Sequence, residues 1–324
     1  MFAFEGIFGM NEIRNITIVG AGTMGHSLAQ VFAQGGCQVY LNDVKEEILA
    51  KAKSLIASNL KTLVELGLLA EKDAAATVNR IRPTSKIEEA CRDADFVIEA
   101  IVEDAAVKKG MFAKLDHLCP AHAILASNTS YLDIFKFVET RRPDKVIITH
   151  WFAPPHIVPL VEIVRGPQTS SETVEAAKNL IIRVGKKPIV ISKFLPGFIA
   201  NRLQSALNRE VLFLLDNGYA GVEDIDEATK ASFALRMPIV GLVKRFDFTG
   251  LDLTQKILRN RQYTPPPDID RSPSVDRLVA QGKLGVKTGS GFYEYGGRSS
   301  EEIMKERDMK LIKLRELLKE LGEL

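Results

Sequence analysis

A strand that runs straight into Gly20-Ala21-Gly22-Thr23-Met24-Gly25, and from there into a helix, restricts this chain more than any other feature of its sequence. Ile16-Thr17-Ile18-Val19 is short, apolar and rich in β-branched side chains, the pattern of a parallel strand buried on both faces. Thr23 to Gln34 has helical spacing through Met24, Leu28, Val31 and Phe32, and Gly35-Gly36 ends it. GxGxxG alone is a frequent accident of glycine-rich turns; between a strand and a helix it has a physical task. Gly20 permits the tight turn, Gly22 lets the backbone approach a pyrophosphate, and Gly25 lets the helix close onto the strand. Thr23 and Met24 open the helix, whose free N–H groups and partial positive charge favour an anion. Asp43 lies 18 residues after Gly25, at the end of the next strand, Cys37 to Leu41. A carboxylate there accepts from ribose hydroxyls and repels the 2′-phosphate of NADP, which predicts NAD as the cofactor.

The rest of the first half repeats the alternation. A long helix is predicted from Lys45 to about Leu66, with strands at Phe96–Ile98, Ile124–Ala126, Val146–Ile148 and Leu160–Val164. After Ser192 strand runs stop. Gly197 to Asn217 reads as one helix with a broad apolar stripe, and Glu301 to Leu324 as another. The predicted fold is α/β: a Rossmann doubly wound sheet over residues 10–193, then an all-α domain over 194–324. A length of 324 residues suits two cores. Basic and acidic residues number 43 and 41, which leaves no basic excess for nucleic acid. No apolar run reaches membrane-spanning length, and Met1 to Met10 lacks the basic start and the length of a signal peptide. A second methionine, Met10, stands just before the first strand. Cys37, Cys91 and Cys119 form no CxxC pair and read as buried thiols of a reducing compartment, the cytoplasm.

Two segments set polar groups at the ends of apolar strands. Ser127-Asn128-Thr129-Ser130 ends the Ile124 strand, beyond a carboxyl edge where open α/β sheets bind ligands. His150 ends the Val146 strand, and Glu162 follows 12 residues later inside Leu160-Val161-Glu162-Ile163-Val164. A carboxylate in such a run costs several kcal/mol unless paired, and a histidine on the neighbouring strand is a suitable partner. Glu162 would hold the imidazole in one tautomer, and His150 would serve as the base that alcohol oxidation needs. His150 and His156 as metal ligands lack a third partner, so no metal is predicted. Ser130 has two readings, a site residue or the cap of a following helix. Asn201, in the first turn of the long helix, is equally open between capping and a hydrogen bond at the domain junction.

Taken in order, these segments resemble the L-3-hydroxyacyl-CoA dehydrogenase family, its 3-hydroxybutyryl-CoA branch included, from about Ile13 to the last helix. The resemblance is carried by Ile16–Gly25, Glu99–Asp104, Ala126–Ser130, the His150–Glu162 pair, Pro196–Leu203 and Lys283–Tyr295. It implies His150 as general base, Glu162 as its orienting partner, and Ser130 and Asn201 hydrogen-bonding the reacting oxygen or positioning base and substrate. It places Ala100, Glu103, Lys108 and the turn from Ser127 and Asn128 to Ser130 on the nicotinamide side. It further implies a homodimer built through the helical domain, an active site between domains, a short-chain acyl-CoA substrate and a place in fatty-acid β-oxidation. Two departures bear on the substrate. The family usually has HFFNP where this chain has His150-Trp151-Phe152-Ala153-Pro154, and CoA-using members often carry a lysine-rich stretch where Asn59 to Leu66 offers only Lys61. The wording Pro154 to Glu162 is as close to relatives that oxidise free hydroxy compounds such as gulonate and carnitine. A non-catalytic, crystallin-like role is the remaining alternative.

Overall fold

The computed structural model describes residues 13–261 and 263–324; the Met1 to Met10 leader lies outside them. The chain divides into two compact units, one through Ile199 and one from Ala200.

The first unit holds eight strands: β1 (Asn15–Val19), β2 (Gln38–Asn42), β3 (Ile81–Thr84), β4 (Phe96–Glu99), β5 (Ile124–Ser127), β6 (Val146–Trp151), β7 (Leu160–Val164) and β8 (Lys187–Ile191). Six helices connect them: α1 (Gly25–Gln34), α2 (Glu46–Glu65), α3 (Glu71–Asn79), α4 (Ile87–Cys91), α5 (Ala105–Leu118) and α6 (Ser171–Arg183). The strands form one sheet in the order β3-β2-β1-β4-β5-β6-β7-β8, so the order reverses beside β1. All neighbours are parallel except β6 and β7, which run antiparallel. Successive residues of a strand point to opposite faces, and this divides the core. Ile16, Ile18 and Ile98 pack with Leu28 and Phe32 of α1 and Ile56 of α2 on one face. Val19, Val97 and Leu125 pack with Phe112 and Leu115 of α5 on the other. Each of those large side chains is worth about 1.5–3 kcal/mol when fully buried. Strands covered on both faces must be apolar throughout, which is why β1, β4 and β6 read as continuous hydrophobic runs. Cys37, Cys91 and Cys119 are free thiols within this core.

The predicted elements are found with ends moved by at most four residues, and two strands are added. β3 (Ile-Arg-Pro-Thr) and β8 (Lys-Pro-Ile-Val-Ile) are the two edges of the sheet. Edge strands tolerate charge and proline because one side of their backbone needs no partner.

The second unit comprises α7 (Ala200–Asp216), α8 (Val222–Thr229), a π-helical turn Lys230–Ala234, α9 (Leu235–Val240), α10 (Lys244–Thr249), α11 (Leu251–Asn260), α12 (Pro273–Ala280) and α13 (Ser300–Glu320). Ser299 and Glu302 close a reciprocal capping box on α13, and Ser272 caps α12 through Val275 N–H. Phe198 is buried in the second cluster with Val164, and Ile191 and Phe194 pack against that cluster.

Candidate active site

The glycine turn leaves β1 where the strand order reverses, with β4 on its other side. Gly20 has φ +100°, and a Cβ there would stand 2.6 Å from the Ala100 carbonyl oxygen, so the two backbones touch. A Cβ on Gly25 would fall 1.7 Å from the Gly20 oxygen, which makes close packing of α1 dependent on glycine. A Cβ on Gly22 would meet nothing within 4 Å, so the backbone there faces open space and is accessible to a pyrophosphate. Met24 precedes α1 with no side-chain cap, and Thr23 is exposed, so the first N–H groups of the helix face the same open space. Asp43 is tied to this turn: one carboxylate oxygen accepts from Ala21 N–H (3.0 Å) and the other from Lys45 N–H (3.1 Å). The cradle and the adjacent carboxylate fit a dinucleotide without a 2′-phosphate.

His150 and Glu162 are register partners across β6 and β7, so their side chains share one face of the sheet. His150 Nδ1 is 2.8 Å from Glu162 Oε2, and Glu162 is fully buried. A carboxylate can only accept, so Nδ1 carries the proton, and in the neutral imidazole Nε2 is the nitrogen that bears the lone pair. Ser130 Oγ lies 3.1 Å from that Nε2. The second oxygen of Glu162 accepts from Ile199 N–H at 2.9 Å. That N–H arrives on a bent segment: Gly197 has φ +77° and Phe198 φ +50°, a costly conformation for a side chain as large as phenylalanine. The Phe198 and Phe152 rings stand 5.2 and 4.5 Å from the imidazole, which fixes its plane. The sequence carried no signal for Phe152, Phe198 or the Ile199 amide beyond their neighbourhood to motifs.

A second polar network supports the turn that bears Ser130. Lys108, 1% exposed, lies between Glu99 Oε1 (2.7 Å) and Glu103 Oε2 (3.3 Å). Ser127 Oγ donates to the other oxygen of Glu99 at 2.7 Å. Glu103 Oε1 accepts from Thr129 Oγ1 (2.5 Å), Ser130 N–H (3.0 Å) and Tyr131 N–H (3.2 Å). Burial would push the Glu103 carboxyl up; the Thr129 hydroxyl, the Lys108 ammonium and the two backbone N–H groups outweigh it and hold it below the usual carboxylate range. Glu99, fully buried at the end of β4, was not singled out in the sequence, because a glutamate at a strand end reads as surface. Asn128 Oδ1 accepts from Trp151 N–H at 2.9 Å and so ties the end of β5 to the residue after His150. Ser127 and Lys108 are members of this network, and Ser130, within reach of His150, caps no α-helix. Asn201 stands in the first turn of α7, in the second unit. Among the described residues no group of three His, Cys, Asp or Glu side chains could hold a metal ion.

Residues 15–194 match the family described as 3-hydroxyacyl-CoA dehydrogenase, NAD binding domain, and residues 197–295 match its C-terminal domain. The chain belongs to the 3-hydroxyacyl-CoA dehydrogenase family. Its first unit is the family's NAD-binding domain, and the protein is an NAD-dependent oxidoreductase. A mitochondrial hydroxyacyl-coenzyme A dehydrogenase of Rattus norvegicus is 38% identical over 87% of this chain and 91% of its own. A 5-formyl-3-hydroxy-2-methylpyridine 4-carboxylate 5-dehydrogenase of Mesorhizobium japonicum is 32% identical over 94% of this chain and 98% of its own. A crystal structure described as a dehydrogenase of that pyridine compound superposes with a TM-score of 0.84 at 31% identity, covering 95% of this chain and 99% of that one.

Proposed function

We propose that this enzyme oxidises a hydroxyl-bearing carbon to a carbonyl, reversibly, with His150 taking the hydroxyl proton. The carrying observation is the buried His150–Glu162 pair beside Ser130. Bound NAD supplies the carbon that accepts hydride. As hydride leaves the substrate the hydroxyl proton must leave too, and Nε2 of His150 is the lone pair available to it. Glu162 keeps the proton on Nδ1 and offsets the positive charge that the imidazole then acquires. Ser130 and Asn201 hydrogen-bond the reacting oxygen or position base and substrate, the two roles the family resemblance implies. Gly20 to Gly25 and Asp43 hold the dinucleotide, with Ala100, Glu103, Lys108, Ser127 and Asn128 toward its nicotinamide end.

For the substrate, the reading favoured here is a free hydroxy acid. Three observations support it. Asn59 to Leu66 contains one base, Lys61, and its ammonium lies 3.9 Å from Glu65, so that stretch offers no concentrated positive charge to the phosphates of CoA. Ala153 stands where the family usually has asparagine. The pyridine-carboxylate relative spans nearly the whole of both chains. The second reading is a short-chain (S)-3-hydroxyacyl-CoA such as the 3-hydroxybutyryl ester, supported by the family and by the rat relative's name; a role in β-oxidation goes with it. The test compares NADH consumption with acetoacetyl-CoA against NAD reduction with 3-hydroxybutyrate, gulonate, carnitine and pyridine carboxylates. Free acids are expected to lead in kcat/KM by about tenfold or more. The opposite ranking establishes the thioester, and no turnover with any compound returns the protein to a non-catalytic role.

We also propose a homodimer formed through the helical unit. No residue of α11 is buried, and Leu251, Leu253, Ile257 and Leu258 are 44–72% exposed along it. Leu314 and Leu317 of α13, and Leu321 just past its end, are about half exposed. Apolar faces of this extent mark an interface between chains. Light scattering on the eluted protein is expected to give twice the chain mass of 35.8 kDa. A mass of one chain at micromolar concentration rejects the dimer.

A further inference from the structure

Within the helical unit, α7, α9 and α10 border a cavity of about 1060 Å³. It is open to solvent, and its apolar lining includes Leu203 (46% exposed), Leu207 (40%) and Phe248 (73%) beside the half-buried Phe233 and Met237. Three arginines also line it, Arg209, Arg236 and Arg245, against a single carboxylate, Glu210. That carboxylate is engaged, accepting from the Tyr263 hydroxyl at 2.6 Å. Arg209 donates through one terminal nitrogen to Asp268, while its Nε is buried without a partner among the described residues. Neither the Arg236 nor the Arg245 guanidinium has a hydrogen bond or ion pair among the described residues; the Arg245 side chain stacks over Phe246 at 5.3 Å, and only its backbone carbonyl accepts, from the Thr249 hydroxyl. The helix that carries Arg236 is preceded by the π-helical turn Lys230–Ala234 and contains Pro238, both departures from regular geometry. Such departures cost stability and occur disproportionately at functional sites.

Charge and shape restrict the ligand. A cation would meet three guanidinium groups. A bare inorganic anion would leave most of the volume and all of the apolar wall unused. We propose that this cavity binds an organic carboxylate, an apolar or aromatic body ending in a free –COO⁻, with Arg236 and Arg245 as the carboxylate's partners. The planar guanidinium fork matches a carboxylate with two parallel hydrogen bonds, which a lysine or an amide ligand cannot reproduce. This deepens the free-acid reading and rests on it only for which molecule supplies the carboxylate. The two arginines are then the residues by which the enzyme prefers an acid over its neutral analogues.

The test is direct binding to the full-length protein by isothermal titration, with benzoate and octanoate against benzamide and octanamide as probes. At least one acid is expected to bind saturably, and about tenfold or more tighter than its amide. Arg236→Met and Arg245→Met should each reduce that preference, and the double variant should abolish it while NADH affinity and melting temperature stay at wild-type values. Arg236→Lys, which keeps charge but not the fork, should restore only part. Equal binding of acid and amide, absence of saturable acid binding, or a preference that survives the double variant overturns the proposal. In turnover, competitive inhibition by the bound acid identifies the substrate as the carboxylate's source. Noncompetitive inhibition with the same arginine dependence identifies a product or effector acid. Failure of the dehydrogenase reading is seen separately, as absence of NADH turnover while acid binding persists.

Discussion

His150 is held on four sides, which makes it more than a histidine that happens to end a strand. Glu162 takes Nδ1–H, Ser130 reaches Nε2, and two phenylalanine rings bracket the imidazole. A buried carboxylate needs its charge answered, and here both oxygens of Glu162 are answered, one by the imidazole and one by the Ile199 amide. The pair was legible in the sequence because glutamate inside Leu-Val-Glu-Ile-Val is anomalous, and the anomaly asks for a partner. The partner's companions were not legible: a phenylalanine at positive φ looks like any other, and a backbone N–H has no letter. His150→Gln keeps a polar side chain of similar reach but has no base. It is expected to bind NADH as the wild type does and to lose about 10²-fold or more in kcat, since general base assistance is worth that much. Fluorescence titration and turnover check the two halves; an unchanged kcat would show that another group takes the proton.

At the scale of elements, the inner strands of the sheet are legible because they read as buried, and its edges and strand direction are not. β1, β4, β5 and β6 are runs of apolar residues because helices cover both faces, so their letters alone announce them. β3 and β8 lie at the edges, where Arg82, Pro83 and Lys187 cost little, and so gave no strand signal. That β7 runs antiparallel to β6 was equally hidden, since a buried apolar run reads alike in both directions, yet this reversal sets Glu162 opposite His150. Lys108 was assigned by resemblance, and only the fold shows its ammonium enclosed between two carboxylates. The strand–turn–helix unit, by contrast, was legible down to its separate glycines, and they separate two effects. Gly25→Ala drives a methyl group into the Gly20 carbonyl at 1.7 Å and should lower melting temperature and NADH affinity together. Gly22→Ala meets no protein atom within 4 Å, so melting should stay within a few degrees of wild type while NADH affinity falls about tenfold or more. Equal NADH affinity in Gly22→Ala would mean that no pyrophosphate lies over that turn.

For the whole molecule, buried titratable groups fix how stability depends on pH. His26 opens α1 with Nδ1 2.9 Å from the Gly22 carbonyl, which only accepts, so the proton is on Nδ1. Burial lowers its pKa, and the Gly22 hydrogen bond opposes this only in part. As pH falls below about 6.5 the unfolded chain therefore binds a proton that the native His26 does not, and stability declines. Asp116 adds a second step. Burial pushes its carboxyl up, but the Thr140 hydroxyl and the Arg141 and Arg142 donors prevail and hold it at about 2. Its folded value lies below the unfolded one, so its contribution, about 2–3 kcal/mol, is complete above the ordinary aspartate range and is lost as pH falls through that range toward about 2. Glu103, also depressed, loses its contribution in the same direction. Melting temperature should thus be level above neutrality, decline gently below about pH 6.5, and fall steeply below about pH 4. His26→Gln should flatten the first decline and leave the second. Asp116→Asn should lower melting temperature at neutral pH, because it leaves the largely buried Arg142 without its carboxylate, and should make the steep acid fall shallower. If His26→Gln leaves the gentle decline in place, the proton that destabilises the fold near neutrality enters elsewhere.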